Sequence, residues 1–250
     1  MNNKSCLLVR ALPALFVIAA FALHTSANAQ APPGTVWYNG DLNGVNGLAN
    51  ERNTAVTQAA VYDDFDVTAP LGWHVTALFS DDFFNTSVTA ADWEIRTGIS
   101  EGNAGSLVAS GTTNSPIVTP TGRIIGNEVV EYMVEVIGLN VFLPMLPSGQ
   151  HYWLNVTSVG NGFGRSFDST TSGTNCVGTP CGNDQNAFFN STYFGNYFTN
   201  TSNVQGPYDY SMGVIGTVVP EPATVALLTC GAVALLIVMR CRRGVLTRRL

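Results

Sequence analysis

The feature that most restricts the fold of this chain is period-two alternation of apolar and polar residues, recurring between turn signals. In Trp73-His74-Val75-Thr76-Ala77-Leu78-Phe79 the odd positions are apolar; in Val130-Glu131-Tyr132-Met133-Val134-Glu135-Val136 the even positions are. Tyr152, Leu154 and Val156 likewise share one face of 151–157. Successive side chains of a strand point to opposite sides of its sheet, so each stretch predicts a half-buried strand. Further candidate strands cover 61–68, 93–99, 106–111, 187–194 and 208–218, separated by clusters such as Gly160-Asn161-Gly162 and Asn114-Ser115-Pro116. Eight or more short strands, with no helical pattern before residue 219, predict an all-β ectodomain: a two-sheet sandwich of jelly-roll or immunoglobulin-like type.

The two ends of the chain break this pattern. Lys4 and Arg10 precede an apolar stretch over 11–23, and Ala27-Asn28-Ala29 supplies the small residues a signal peptidase reads, so 1–29 is expected to be a cleaved signal peptide. At the other end, 223–239 is a run of 17 uncharged, mostly apolar residues. As a helix it spans roughly 25 Å, enough for one C-terminal transmembrane helix, and in lipid a helix satisfies its own backbone. Arg240, Arg242, Arg243, Arg248 and Arg249 follow and are expected to stay cytoplasmic. Pro220 and Pro222 each lack a backbone N–H and hold the preceding residue extended, so 219–222 reads as a stiff, non-helical stalk outside the membrane. The sandwich is then the 30–218 segment.

Val219-Pro220-Glu221-Pro222, an apolar span over 223–239 and a basic tail over 240–250, in that order, resemble the PEP-CTERM sorting signal of Gram-negative, exopolysaccharide-producing bacteria. The resemblance covers about the last thirty residues. It implies handling by an exosortase, a membrane transpeptidase-like enzyme expected to cut near the Pro-Glu-Pro motif and pass the ectodomain to the cell surface or extracellular matrix. It also makes exopolysaccharide a candidate partner. Arg240, Arg242 and Arg243 correspond to the family's arginine cluster, which Cys241 interrupts here. Val61-Tyr62-Asp63-Asp64-Phe65, Tyr152-Trp153-Leu154 and Ser211-Met212-Gly213-Val214 also look like ectodomains often joined to this tail.

Charge bounds the partners. Sixteen of the 17 acidic residues lie between the terminal signals, against only Arg52, Arg96, Arg123 and Arg165, leaving an ectodomain charge of −12. Such a surface repels nucleic acid and anionic headgroups, so no nucleic-acid partner is expected. Cys176 and Cys181 are the two ectodomain cysteines, and in an oxidising compartment they are expected to pair. Only His74 and His151 accompany them, too few for a zinc site.

No Gly-x-Ser-x-Gly elbow, His-Glu-x-x-His or phosphate-binding glycine loop occurs, so no catalytic residue is assigned and the protein is not expected to be an enzyme. Asp64 and Asp66, on one strand face and roughly 7 Å apart, are either calcium candidates or members of a solvated face. Asp81 and Asp82 either contribute to that site from a following turn or end their strand. No other cofactor is expected. Trp37, Trp73, Trp93, Trp153 and the aromatics of 193–198 fit either a sandwich core or a sugar-stacking surface. Two functions follow: a structural or adhesive, non-catalytic surface or matrix protein, or alternatively a carbohydrate-binding module or glycan-active enzyme displayed in the same way.

Overall fold

A computed structural model describes residues 31–53, 55–126, 129–160 and 162–221, together with Leu227 and Cys230. Residues 1–30, which include the expected signal peptide, Pro222, the remainder of the 223–239 run and the 240–250 tail with Arg240, Arg242 and Arg243 lie outside the described residues. Leu227 and Cys230 are helical; no helix among the described residues is long and apolar enough to cross a membrane.

The described chain is two seven-stranded sheets. Sheet A contains β1 (Thr35–Tyr38), β2 (Leu42–Ala49), β5 (Trp73–Phe84), β8 (Ile117–Ile125), β9 (Val129–Leu143), β11 (Ser166–Thr171) and β14 (Met212–Val218). Its axis is β5, which pairs antiparallel with β9 on one side and with β14 and then β11 on the other. Sheet B runs β13 (Thr199–Asn200), β12 (Phe188–Ser191), β4 (Gln58–Phe65), β3 (Glu51–Arg52), β10 (Tyr152–Gly160), β6 (Val88–Thr97) and β7 (Ser106–Asn114). One buried cluster joins them: Trp37, Trp73, Val75, Leu78 and Val214 from sheet A meet Val61, Phe65, Trp93, Leu154 and Val156 from sheet B. Phe65 sits at its centre, with rings at 5.2 Å to Trp37 and 5.4 Å to Tyr152. Burying apolar area between two such faces is the main favourable term holding the sheets together.

Strict alternation fails at one informative place. Between β5 and β14 the register slips so that Ala77 opposes Ile215 while Val75 opposes Gly216, leaving Thr76 as the extra residue of a bulge. Trp73 and Val75 therefore face the core, but beyond the bulge it is Leu78 that does so. Phe79, expected on the core face with Trp73, turns to the other side of sheet A and packs on Tyr38 at 5.5 Å. Gly213 makes this possible, since a Cβ there would lie 2.3 Å from the Phe79 ring.

Two further expectations are corrected. Asp81 and Asp82 neither end their strand nor enter a turn; both are buried inside β5. The predicted 187–194 strand stops at Ser191, whose hydroxyl accepts a hydrogen bond from the Tyr193 N–H and caps a short 3-10 turn over Thr192–Phe194.

Candidate functional site

Because Val61, Leu154, Val156, Trp93 and Ile95 face the core, their alternate neighbours on β4, β10 and β6 form the outer face of sheet B. Strand pairing sets them in rows. Arg96 lies opposite Trp153, Glu94 opposite Asn155, and Asp92 opposite Thr157. On the far side Glu94 meets Ser110 and Asp92 meets Thr112 of β7. Phe188 and Asn190 of β12 meet Tyr62 and Ala60.

This face has an aromatic end and a polar end. At the first, Tyr62, Trp153, Phe188 and Ile99 form a small second core, closed by Phe198 at 5.3 Å from the Tyr62 ring. Arg96 lies over both rings, 6.0 Å from Tyr62 and 5.8 Å from Phe198, and its Nε donates to Glu94 at 2.5 Å. The Tyr62 hydroxyl donates to the same carboxylate oxygen at 2.9 Å. Burial first, and then the Glu94 charge, raise Tyr62 beyond the ordinary tyrosine range, so it remains a donor.

At the polar end, a groove of about 200 Å³ is lined by Arg52, Gln58, Asp92, Glu94, Asn190 and Asn196 among others. An adjoining recess of about 440 Å³ shares Arg52, Asp92 and Glu94 and continues to Ser110 and Thr112. Arg52 holds Asp92 through Nε and through Nη2 at 3.0 Å, and Thr112 donates to Asp92 at 2.6 Å. Beneath, Asn50 accepts from Asn155 at 3.1 Å and Thr157 at 3.0 Å, so the buried floor satisfies itself.

Compared with known proteins, the chain matches no family model, no curated protein and no solved structure. Its site is therefore read from its own geometry.

The sequence-predicted residues divide. Cys176 and Cys181 form a disulfide with Cα atoms 5.6 Å apart. Their loop is stitched over β1: the Tyr38 and Val177 backbones bond reciprocally at 2.8 Å, and Trp37 Nε1 donates to the Pro180 carbonyl at 3.1 Å. The acidic group around Asp64 is not a solvated face, because Asp63 and Asp64 are buried. Asp63 accepts from Asn39 at 2.8 Å and from the Tyr210 N–H at 2.6 Å in the sandwich interior. Asp64 and Asp66 do come together, with the His151 ring between them: its Nδ1 is 3.3 Å from Asp64 and 2.8 Å from Asp66. Burial, and then the charge of Asp184, push Asp64 up to about 8. No group of three His, Cys, Asp or Glu among the described residues is arranged to hold a metal. The four tryptophans are all 7% exposed or less, so none offers a ring face to a sugar. Of the 193–198 aromatics Tyr193 is 84% exposed, and Phe194 and Tyr197 are about half exposed.

Sequence reasoning missed the Asp92, Glu94 and Arg96 row. The alternation that predicts a strand over 93–99 puts Glu94 and Arg96 on one side, and carried one residue back, as β6 is, it adds Asp92; that was the available signal. Of the expected sorting motif over 219–222, Val219, Pro220 and Glu221 are described. Val219 donates its N–H to the Gly72 carbonyl at 3.0 Å, and Pro220 and Glu221 are exposed.

Proposed function

We propose that this is an exported protein, carried to the cell surface or extracellular matrix by a C-terminal sorting signal and working there through a non-catalytic sandwich of jelly-roll or immunoglobulin-like type. The observation that supports it best is the junction. The last core strand, β14, ends at Val218, and one hydrogen bond later the chain emerges as exposed Pro220 and Glu221. A processing enzyme needs an extended, accessible substrate, and Pro220 and Glu221 are exposed, with only the Val219 hydrogen bond to Gly72 before them. In this reading the 223–239 run is a temporary membrane anchor, Arg240, Arg242 and Arg243 hold its end in the cytoplasm, and an exosortase-type enzyme cuts near the motif.

The non-catalytic reading of the groove rests on how its two half-buried carboxylates, Asp92 and Glu94, are engaged. Glycoside hydrolysis needs two carboxyl groups in contrasting environments, one of them retained as an acid. Asp92 and Glu94 instead sit in matched settings, each bound by an arginine and a hydroxyl. Intact-mass spectrometry of the protein recovered from the surface and the medium tests the proposal. A C-terminus within or next to 219–222 is expected; mature protein retaining 223–250 overturns it.

A further inference from the structure

We infer that the polar end of the outer face of sheet B is a binding groove for an uncharged polysaccharide. The inference goes beyond the sorting proposal and stands or falls without it, since the groove is complete within the sandwich. Its chemistry selects the ligand class. The three carboxylates of the lining are each paired with an arginine, Asp92 with Arg52 in the lining itself and Glu94 and Glu51 with Arg96 and Arg165 beside it, so none is left uncompensated to attract a cation and no guanidinium is left over for an anion. The ectodomain as a whole is strongly acidic and repels polyanions. No apolar anchor pocket opens here, because the aromatic end of the face is closed by Phe198 and its rings are buried. The groove itself thus offers a lipid or an apolar peptide segment little apolar lining, Tyr62 and two alanines.

What the lining does offer is a mixture of hydrogen-bond donors and acceptors: the guanidinium of Arg52, the carboxylates of Asp92 and Glu94, and the amides of Gln58, Asn190 and Asn196. Sugar hydroxyls both donate and accept, and this mixed lining suits them whereas an all-donor or all-acceptor lining would not. Hydrogen bonds to charged groups are the stronger kind, and each ion pair fixes its members in place before the ligand arrives. The groove adjoins a second recess through shared residues, so it accommodates a chain that continues past one unit rather than a single enclosed molecule. Tyr193, the most exposed tyrosine of the described residues, stands in the loop between two lining residues, Asn190 and Asn196, where an aromatic face can stack on a sugar ring.

Native affinity electrophoresis of the full-length chain in mild detergent tests this, with gels containing dextran, galactomannan or hydroxyethylcellulose as neutral probes and alginate as an anionic one. Retardation is expected in at least one neutral gel and not in alginate. Arg52→Ala and Glu94→Gln should each weaken it about tenfold, the effect of losing one charge-assisted hydrogen bond. Thr119→Ala, on exposed β8 of the other sheet, should leave it unchanged. Thermal melting of each variant separates lost binding from lost folding, and Gln58→Ala at an exposed lining position provides a groove variant with no core contact to disturb. Mobility unaffected by every neutral polysaccharide, retardation by alginate alone, or retardation that the folded groove variants do not reduce overturns the inference.

Discussion

Arg123 is the residue on which the outer side of sheet A depends. It comes from β8 and forms ion pairs with Asp41 at 2.7 Å, with Asp81 at 2.6 Å and with Glu131. Tyr38 adds hydrogen bonds to Asp41 at 2.8 Å and Asp81 at 3.1 Å. Burial alone would lower Arg123, but Asp81, Tyr38 and Glu131 together raise it beyond its usual range. Arg123→Met would leave three buried carboxylates without their cation, a loss of about 3–5 kcal/mol, whereas Arg52→Met at the half-exposed Asp92 pair should cost less than about 1 kcal/mol. Urea denaturation of the two variants checks the contrast. A second residue-scale prediction concerns Asp82 and Asp168, directly opposite each other across β5 and β11, both fully buried. Asp82 accepts from Ser158 at 2.7 Å and Ser80 at 3.2 Å, and one oxygen of each carboxyl has no hydrogen-bond partner. Burial pushes Asp82 up to about 8 and Asp168 well above the carboxylate range. With folded values above unfolded ones, their contribution is complete below about pH 4 and is lost as pH rises, for Asp82 toward about 8, by up to ~1.4 kcal/mol per pH unit for each group. The melting temperature should therefore be higher at pH 5 than at pH 8.5, and Asp168→Asn should flatten that slope; a melting temperature that rises with pH would contradict it. None of this was legible in the sequence, where Asp81-Asp82 and Asp63-Asp64 resemble surface charge, because burial of a polar strand position depends on what the other sheet and its loops lay over it.

At the scale of elements, alternation located strands well wherever one face meets the core and the other meets solvent. β10 begins one residue into its predicted stretch, whereas β6 starts at Val88, five residues before its predicted start; in β6 Trp93 and Ile95 are core residues between polar, half-buried Asp92, Glu94 and Arg96, while β10 is buried on both faces as far as Ser158. β2 and β11 were missed because Leu42–Ala49 is half glycine and asparagine and Ser166–Thr171 is almost wholly polar; backbone pairing and buried hydrogen bonds, not apolar side chains, place them. The bulge at Thr76 was invisible for a related reason: Leu78 and Phe79 are both apolar, so the sequence does not say which faces the core. Gly213→Ala, which would drive a methyl into the Phe79 ring and the Trp37 carbonyl, should destabilise by about 1–3 kcal/mol, read from the denaturation midpoint. The Cys176–Cys181 loop was legible from spacing and compartment. Replacing both cysteines by serine should cost roughly 2 kcal/mol in the chain-entropy account, and equal midpoints for the double variant and the unaltered protein would show that the backbone bonds to Tyr38 hold the loop unaided.

For the whole molecule, the proposal that the tail serves only to deliver an all-β domain bears on the boundary between them. β14 is sealed between β1 and β5, and just beyond it Pro220 and Glu221 are exposed. A permanent anchor needs apolar length and flanking arginines and gains nothing from a Pro-Glu-Pro in front of it. Glu221 is the one charged side chain between those prolines, and replacing it disturbs neither the sandwich nor the apolar run. The most direct measurement is cell fractionation of the Glu221→Ala protein beside the unaltered one. The account predicts that the variant accumulates uncut in the inner membrane while the unaltered protein reaches the surface or medium. Equal processing and equal distribution of the two would contradict it and leave a plain single-pass anchor.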